Sequence, residues 1–280
     1  KICLIDDYTP QMTRTFEVAR VYRNLKGSGL PLRIPAIEMV EIGAGGGSIA
    51  KVDDMKRISV GPESSGASPG PACYSQGGLD ATVTDADVIL GRIDPKDFAG
   101  GAVKLAPEKA DLVLQKAVGD QLSLDSSLSA FGVSEIVDEN MANAARVHAI
   151  EWGKDISARS MIAFGGAAPL HALRLAEKLD INKVIIPAGA GVGSAIGFLR
   201  APISYEVVRS RYMSLQYFDP DIVNELMKEM SEEAREIVTS GSDASELKEQ
   251  RLAYMRYEGQ GHEIVVPVPV RELEAKDADT

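Results

Sequence analysis

Glycine dominates the positions at which this sequence invites chemistry. Three clusters, at 43–47 (Gly43-Ala44-Gly45-Gly46-Gly47, followed by Ser48), 165–166 and 189–197, each stand after an apolar run that reads as a strand. Such turns suit phosphate groups, because glycine lets backbone N–H groups approach closely and the start of a following helix adds positive potential. The same pattern also makes plain tight turns, and both readings stay open at each cluster. None of the three matches G-x-x-x-x-G-K-[ST], and none has G-x-G-x-x-G with an acidic residue at the right distance.

The titratable candidates are few. His171 falls in the first turn of the helix expected after Gly165-Gly166, where a neutral imidazole meets either a bound ligand or the turn itself. His148 reads as a packed or capping helix residue and His262 as a loop residue. No histidine pair has metal-ligand spacing, so no zinc site is expected. Cys73 has no His and Asn/Asp placed to identify a base, and it reads as a small buried thiol. Asp85 and Asp87 begin a helix, where two acids either cap it or serve magnesium or general-base chemistry.

The elements that must position these groups follow from periodicity and turn chemistry. Ile2–Ile5 and Ala36–Ile42 read as strands, the first of them buried, and Ile49–Val52 with Arg57–Val60 as a hairpin around Asp53-Asp54. From Gly61 to Gly78 twelve of eighteen residues are Gly, Pro or Ser. Glu63, Cys73 and Tyr74 inside that stretch are unlike linker residues, so an ordered loop packed near the 43–47 turn is expected. Helices are expected from Asp85 to Leu90, from Pro107 to Leu122 (Leu112, Val113 and Val118 inward) and from Ser134, as cap, to Trp152. A βαβ unit follows: strand Ser160–Phe164, turn, helix Pro169–Leu179 and buried strand Lys183–Pro187. A long acidic helix from Asp219-Pro220 to about Thr239 and strands Gln250–Tyr257 and Glu263–Val268 close the chain. The composition shifts near 200–214, the expected domain boundary.

Composition narrows the classes further. With 280 residues, 45% of them hydrophobic and 25% charged, the chain can bury a core without staples. Its formal charge of −11 repels phosphate backbones, so nucleic acid is not an expected partner. Two cysteines fit a reducing, cytoplasmic setting, and no apolar run approaches the ~20 residues of a membrane span. The chain opens at Lys1 directly into Ile2-Cys3-Leu4-Ile5, so a piece of a longer polypeptide is expected.

Three segments taken together resemble one family. EIGAGGGSIAKVD (41–53), VGPESSGASPGPACYSQGGLDATVTDADVILGRIDP (60–95) and IAFGGAAPLHALRLAEKLDINKVIIP (162–187), with GVGSAIGF downstream and MRYEGQGHEI (255–264), resemble the hydantoinase A/5-oxoprolinase family. That family also holds the ATP-dependent ketone carboxylase subunits. The resemblance implies an α/β fold: over 1–200 the C-terminal part of an actin-like (ribonuclease H-like) ATPase domain, then a smaller α+β segment over 201–280. It implies ATP and Mg2+ as cofactors of the full-length protein, with two phosphate clamps upstream of Lys1. Gly45, Gly46, Gly47 and Ser48 are the expected nucleotide contacts of the first turn. Gly165, Gly166, Ala167 and His171 are those of an adenosine turn. Ala168 departs from the family's usual glycine, which bears on the shape of that turn.

The implied reaction is activation of a lactam, hydantoin or ketone oxygen by ATP, then hydrolysis or carboxylation with a hydantoinase B-type subunit or domain. Within the matched TVTDA, Asp85 is the expected catalytic acid and Asp87 a surface or capping one. The piece alone is expected to be inactive. A ketone-carboxylase subunit, a metabolite kinase and a purely binding role remain the alternatives, separable by product analysis.

Overall fold

The structure, a computed structural model, describes every residue except Arg20, 22–26, Arg33, 242–246, His262 and Thr280. The expectation for His262 therefore lies outside the described residues. The chain divides into two units, 1–197 and 198–280.

The first unit begins with short antiparallel pairs. β1 (Ile5–Asp6) pairs with β2 (Thr9–Pro10), β3 (Met12–Thr13) with β6 (Ala36–Ile37), and β4 (Phe16–Val18) with β5 (Leu30–Leu32). The expected buried strand at Ile2–Ile5 is broken: Ile2 makes one bridge to Val40, Leu4 is buried and Ile5 is exposed. The hairpin is borne out, as β7 (Ser48–Val52) against β8 (Ile58–Ser64) in the register Val52↔Ile58. Asp53 closes it by accepting from the Met55 and Arg57 amides, both at 2.9 Å.

Three helical elements cover this hairpin. α1 spans Val83–Ile89, α2 spans Pro107–Leu114 and α3 spans Asp120–Leu122, the last two joined by a π-helical turn over Gln115–Gly119. α4 (Ser126–Glu151) follows and is 26 residues long. Their shared core is Ala50, Val60, Val83, Leu114, Val133 and Val137 with close neighbours. Each such Val or Leu is worth roughly 1.5–3 kcal/mol when fully buried. Leu112, expected inward, is exposed, whereas Val113 and Val118 are buried.

α4 starts eight residues before the expected Ser134. Asp125 is the cap, accepting from the Leu128 amide at 2.7 Å. The sequence hid this start because Ser127, Ser129 and Gly132 are weak helix formers. Gly132 is instead a close-packing position: a Cβ there would stand 2.7 Å from Cδ1 of Ile58 on β8.

The βαβ unit is present. β9 (Met161–Ile162) and β10 (Val184–Ile185) are parallel, connected through α5 (Ala168–Lys178), and Ala163 N–H extends the ladder to the Ile185 carbonyl at 2.9 Å. The strand around β10 is not buried as expected, since Ile185 and Ile186 are exposed. Its apolar run specifies extended backbone without specifying what covers it. The third glycine cluster becomes a turn of 3-10 helix followed by α6 (Gly193–Arg200).

α5 is fastened to α4 by Ala142, Ala145, Ala176 and Leu179 beneath a lattice of charges. Glu135 accepts from Arg174 Nε at 2.7 Å and Lys178 Nζ at 3.0 Å, and Lys178 also reaches Glu139 at 3.1 Å. Hydrogen bonding from Arg174, against a smaller desolvation effect, holds the Glu135 carboxyl down to about 2. Its stabilising contribution is therefore present above the ordinary carboxylate range and lost as pH falls towards 2. Because these groups lie at the surface, Glu135→Gln should cost only about 1 kcal/mol. Urea unfolding at low and high salt checks this, with the cost shrinking as salt screens the network.

In the second unit, α7 (Pro220–Ser240) begins at Asp219, which accepts from the Asp221 amide at 3.0 Å. The antiparallel pair β11 (Arg251–Met255) and β12 (Ile264–Val268) matches the expected strands within two residues. Asn224 ties α7 to the segment after β12 by two hydrogen bonds with the Leu273 backbone, at 2.8 and 3.0 Å. Among the described residues no helix is long and apolar enough to cross a membrane.

Candidate functional site

The glycine turn at 43–47 is fixed from both sides. Ser48 is buried, and its Oγ accepts from the Gly45 amide at 3.0 Å, closing the turn. The Gly46 carbonyl accepts from Thr84 N–H at 2.8 Å, and the Gly47 carbonyl accepts from Ser65 N–H at 2.9 Å. A Cβ on Gly46 would stand 2.5 Å from Thr84 Oγ1, so only glycine lets β7 meet the start of α1 this closely. The first four residues of the expected 61–78 loop belong to β8, and the chain that follows them lies against this turn as expected.

Asp85 organises that loop. Thr82 caps α1 by accepting from the Asp85 amide at 3.2 Å, and Asp85 Oδ2 closes the capping box by accepting from the Thr82 amide at 3.0 Å, and it also accepts from the Thr82 hydroxyl at 2.7 Å. The same carboxylate accepts from the amides of Cys73 at 2.9 Å and Ala72 at 3.3 Å. Asp85 is completely buried and does not line the cleft described below. Capping, a reading the sequence left open for both acids, is what Asp85 does here. Cys73 is also completely buried. Burial first, and then the Asp85 carboxylate, push its thiol well above the ordinary range, so it stays protonated as expected of an inert thiol.

Asp87, two residues on, sits in a buried network that connects three helices. Its Oδ1 lies 3.2 Å from Nη1 of Arg92, and its Oδ2 lies 3.3 Å from Nε2 of His171 on α5. His171 Nδ1 reaches Asp138 Oδ1 of α4 at 2.7 Å. Arg92 Nη1 also donates to Ser134 Oγ at 2.7 Å, and Ser134 lies 3.4 Å from Asp138 Oδ2. Burial alone would lower the His171 pKa, but hydrogen bonds to Asp138 and Asp87 outweigh it and lift the ring to about 9. Both ring nitrogens face carboxylates, an arrangement that favours the imidazolium over the neutral imidazole expected from its place after the glycine turn. Asp87 is likewise no surface residue: it is buried in this network.

Beside the network opens a cleft of about 720 Å³. Gly46 and Gly47 form one wall and Gly166 and Ala167 another, while Asp87 and Arg92 reach it from the network. Pro71, Tyr74, Ile93, Phe98 and Leu170 supply apolar surface, with the Tyr74 and Phe98 rings 5.6 Å apart. The structure thus brings together two of the three glycine turns. Gly45 and Ser48 close the first turn from outside the cleft lining. Gly165, at φ +102°, gives the second its left-handed bend, and its N–H donates to the Ala190 carbonyl at 2.7 Å. Ala168, the departure from glycine, is the first residue of α5. Among the described residues no cluster of three His, Cys, Asp or Glu is placed to hold a metal.

Arg92, Ser134 and Asp138 were missed in the sequence. Arg92 lies inside the GRIDP portion of a matched motif and carried a signal. Ser134 and Asp138, one helical turn apart on α4, are recognisable only once α4 is seen to begin at Ser126.

Fold and cleft together define a mixed α/β protein in which two glycine turns face a shared cleft beside a buried ion network. Residues 1–207 match the hydantoinase/oxoprolinase family, and the chain belongs to that family. It is 35% identical over 270 residues to an uncharacterized protein of Methanocaldococcus jannaschii, covering 95% of this chain and 39% of that one. It is 32% identical over 246 residues to the caprolactamase alpha subunit of Pseudomonas jessenii, covering 86% and 35%. The nucleotide-free structure of an ATP-dependent acetone carboxylase superposes with a TM-score of 0.76 at 27% identity, over 89% of this chain and 37% of that one. The chain therefore spans somewhat over a third of the length of these relatives.

Proposed function

We propose that the chain supplies the adenosine-facing wall of an ATP site, in a subunit that activates a lactam, hydantoin or related carbonyl by phosphorylation before ring opening. In this reading residues 1–200 are the C-terminal part of an actin-like ATPase domain and 201–280 begin an α+β segment, and a B-type chain completes the enzyme. The observation that carries it is the meeting of Gly46-Gly47 and Gly166-Ala167 at one cleft. The residues present fit a nucleoside: a Cβ at Gly166 would meet nothing within 4 Å, leaving room for a ring, and Leu170, Ile93 and Phe98 offer apolar surface. The relatives named for an ATP-dependent reaction and for a lactam support the reading.

ATP, when bound, supplies the phosphoryl group that turns a poor amide leaving oxygen into a good one. The chain's own residues orient: the glycine turns admit close approach, Arg92 presents a guanidinium at the cleft edge, and Asp85 holds the 70–75 loop in place from behind. No side chain here is assigned to Mg2+. The likeness to acetone carboxylase favours one second reading, a ketone-carboxylating subunit. Product analysis separates them, by a ring-opened acid against a carboxylated ketone.

Gly166→Val is the direct test. Gly166 lies outside the left-handed region and has open space around it, so valine leaves the fold intact and fills the cleft. ATP affinity of the intact subunit, measured calorimetrically, should fall at least tenfold, about 1.4 kcal/mol. Unchanged affinity in a folded variant removes the adenosine turn from this chain.

A further inference from the structure

The buried ion network has a geometry that plain helix packing does not require. His171 occupies the first turn of α5, directly after the Gly165–Ala167 turn, yet its ring points away from that turn into a slot between α1 and α4. There it touches Asp87, which borders the cleft, and Asp138, which does not. Arg92, the cation that also borders the cleft, is held by the same Asp87 and by Ser134, and its Nη1 lies 3.3 Å from His171 Nδ1. His171 and the two carboxylates are buried here, Arg92 is partly exposed at the cleft, and each member on the cleft side is tied to one behind it. Removing the charge on any of them alters the balance for the rest.

We propose that Asp138 and His171 are positioning residues: through Asp87 they fix the start of α5, and with it Gly166 and Ala167, relative to Arg92 across the cleft. Neither touches the ligand. The proposal rests on the reading of the cleft as a nucleotide site. Its mechanical logic is that α5 has no side-chain cap on its first turn, so the His171 ties on α1 and α4 are the polar anchors of that end. The charged groups facing the ring are Asp87 from α1, Arg92 from the loop after it and Asp138 from α4. Glu135, next to Ser134 on α4, is occupied by Arg174 and Lys178. With the ring protonated, both carboxylates are drawn onto it. Once it loses a proton, one carboxylate loses its donor and the anchor slackens.

The test is the affinity of the intact subunit for Mg·ATP between pH 6.5 and 10, in wild type, Asp138→Asn and His171→Gln. Wild type should bind with constant affinity to about pH 8 and weaken at least fivefold by pH 10. Asp138→Asn, which removes one of the two anions, should move that alkaline limb down by a pH unit or more while binding within twofold of wild type at pH 6.5. His171→Gln, which keeps hydrogen bonding but cannot titrate, should flatten the limb. A limb at the same pH in wild type and Asp138→Asn, or one that persists in His171→Gln, overturns the proposal. Should wild type bind no Mg·ATP at any pH, the nucleotide reading fails and amide exchange over 165–171 decides the anchor separately. Protection, corrected for intrinsic exchange, that drops above pH 9 in wild type and at lower pH in Asp138→Asn upholds it. Protection independent of pH overturns it.

Discussion

Asp85→Ala should destabilise the protein by roughly 4 kcal/mol or more, because four buried donors lose their acceptor, and should do so before any effect on chemistry is read. The carboxylate is the acceptor for the amides of Ala72, Cys73 and Thr82 and for the Thr82 hydroxyl. Alanine leaves these donors buried without partners, each at a cost of about 1–3 kcal/mol. Asp85→Asn is gentler but not neutral, because its amide nitrogen turns a donor towards donors. The measurements are urea unfolding and turnover per folded molecule of the intact subunit. With Asp85 acting as the tether of the 70–75 loop, Asp85→Asn lowers the unfolding midpoint, and the turnover that remains tracks the folded fraction. An unchanged midpoint with abolished turnover would instead return Asp85 to the catalytic role that its place in the TVTDA motif suggested.

The different surroundings of Asp85 and Asp87 show where sequence reasoning stops. Both acids lie in one short motif, and their spacing of two puts them on different faces of α1. Nothing local says which face meets the loop and which meets the neighbouring helices. The answer depends on α4, whose true start at Ser126 was obscured by Ser129 and Gly132. Misplacing that start by eight residues turned Ser134 into a cap and hid its relation to Asp138. By contrast, the hairpin at 48–64, the βαβ unit and α7 with its Asp219 cap were legible, because each combines a clear period with turn residues at both ends. Exposure was the least legible property. The apolar runs at 2–5 and 183–187 announce extended backbone, yet Ile5, Ile185 and Ile186 face outward. The family motifs fared better, since they pointed to both glycine walls of the cleft. They could not show that His171, one turn past the second wall, looks away from it.

The stability of the His171 network should fall as pH rises, opposite to the usual behaviour of buried carboxylates. Its ring is lifted from 6.5 to about 9 by Asp138 and Asp87 despite burial. A raised cation pKa means the folded state holds its proton more tightly than the unfolded chain. The stabilisation is therefore fully present below pH 6.5, declines between 6.5 and 9, and is gone above that. At about 1.36 kcal/mol per pKa unit, it amounts to roughly 3 kcal/mol at its plateau. His171→Gln removes the titration while preserving most of the volume, so it should cost about that much at pH 6 and little at pH 9.5. Urea unfolding of both proteins across this range measures the difference directly. A deficit of the same size at pH 6 and pH 9.5 would mean that the ring is neutral in the fold, and that shape rather than charge holds α5 against α1 and α4. His171→Leu provides the complementary limit. It leaves Asp87 with Arg92 alone and Asp138 with only the Ser134 hydroxyl, so an unpaired buried carboxylate is added to the lost cation. The expected cost at pH 7 is about 3–5 kcal/mol, more than His171→Gln at the same pH.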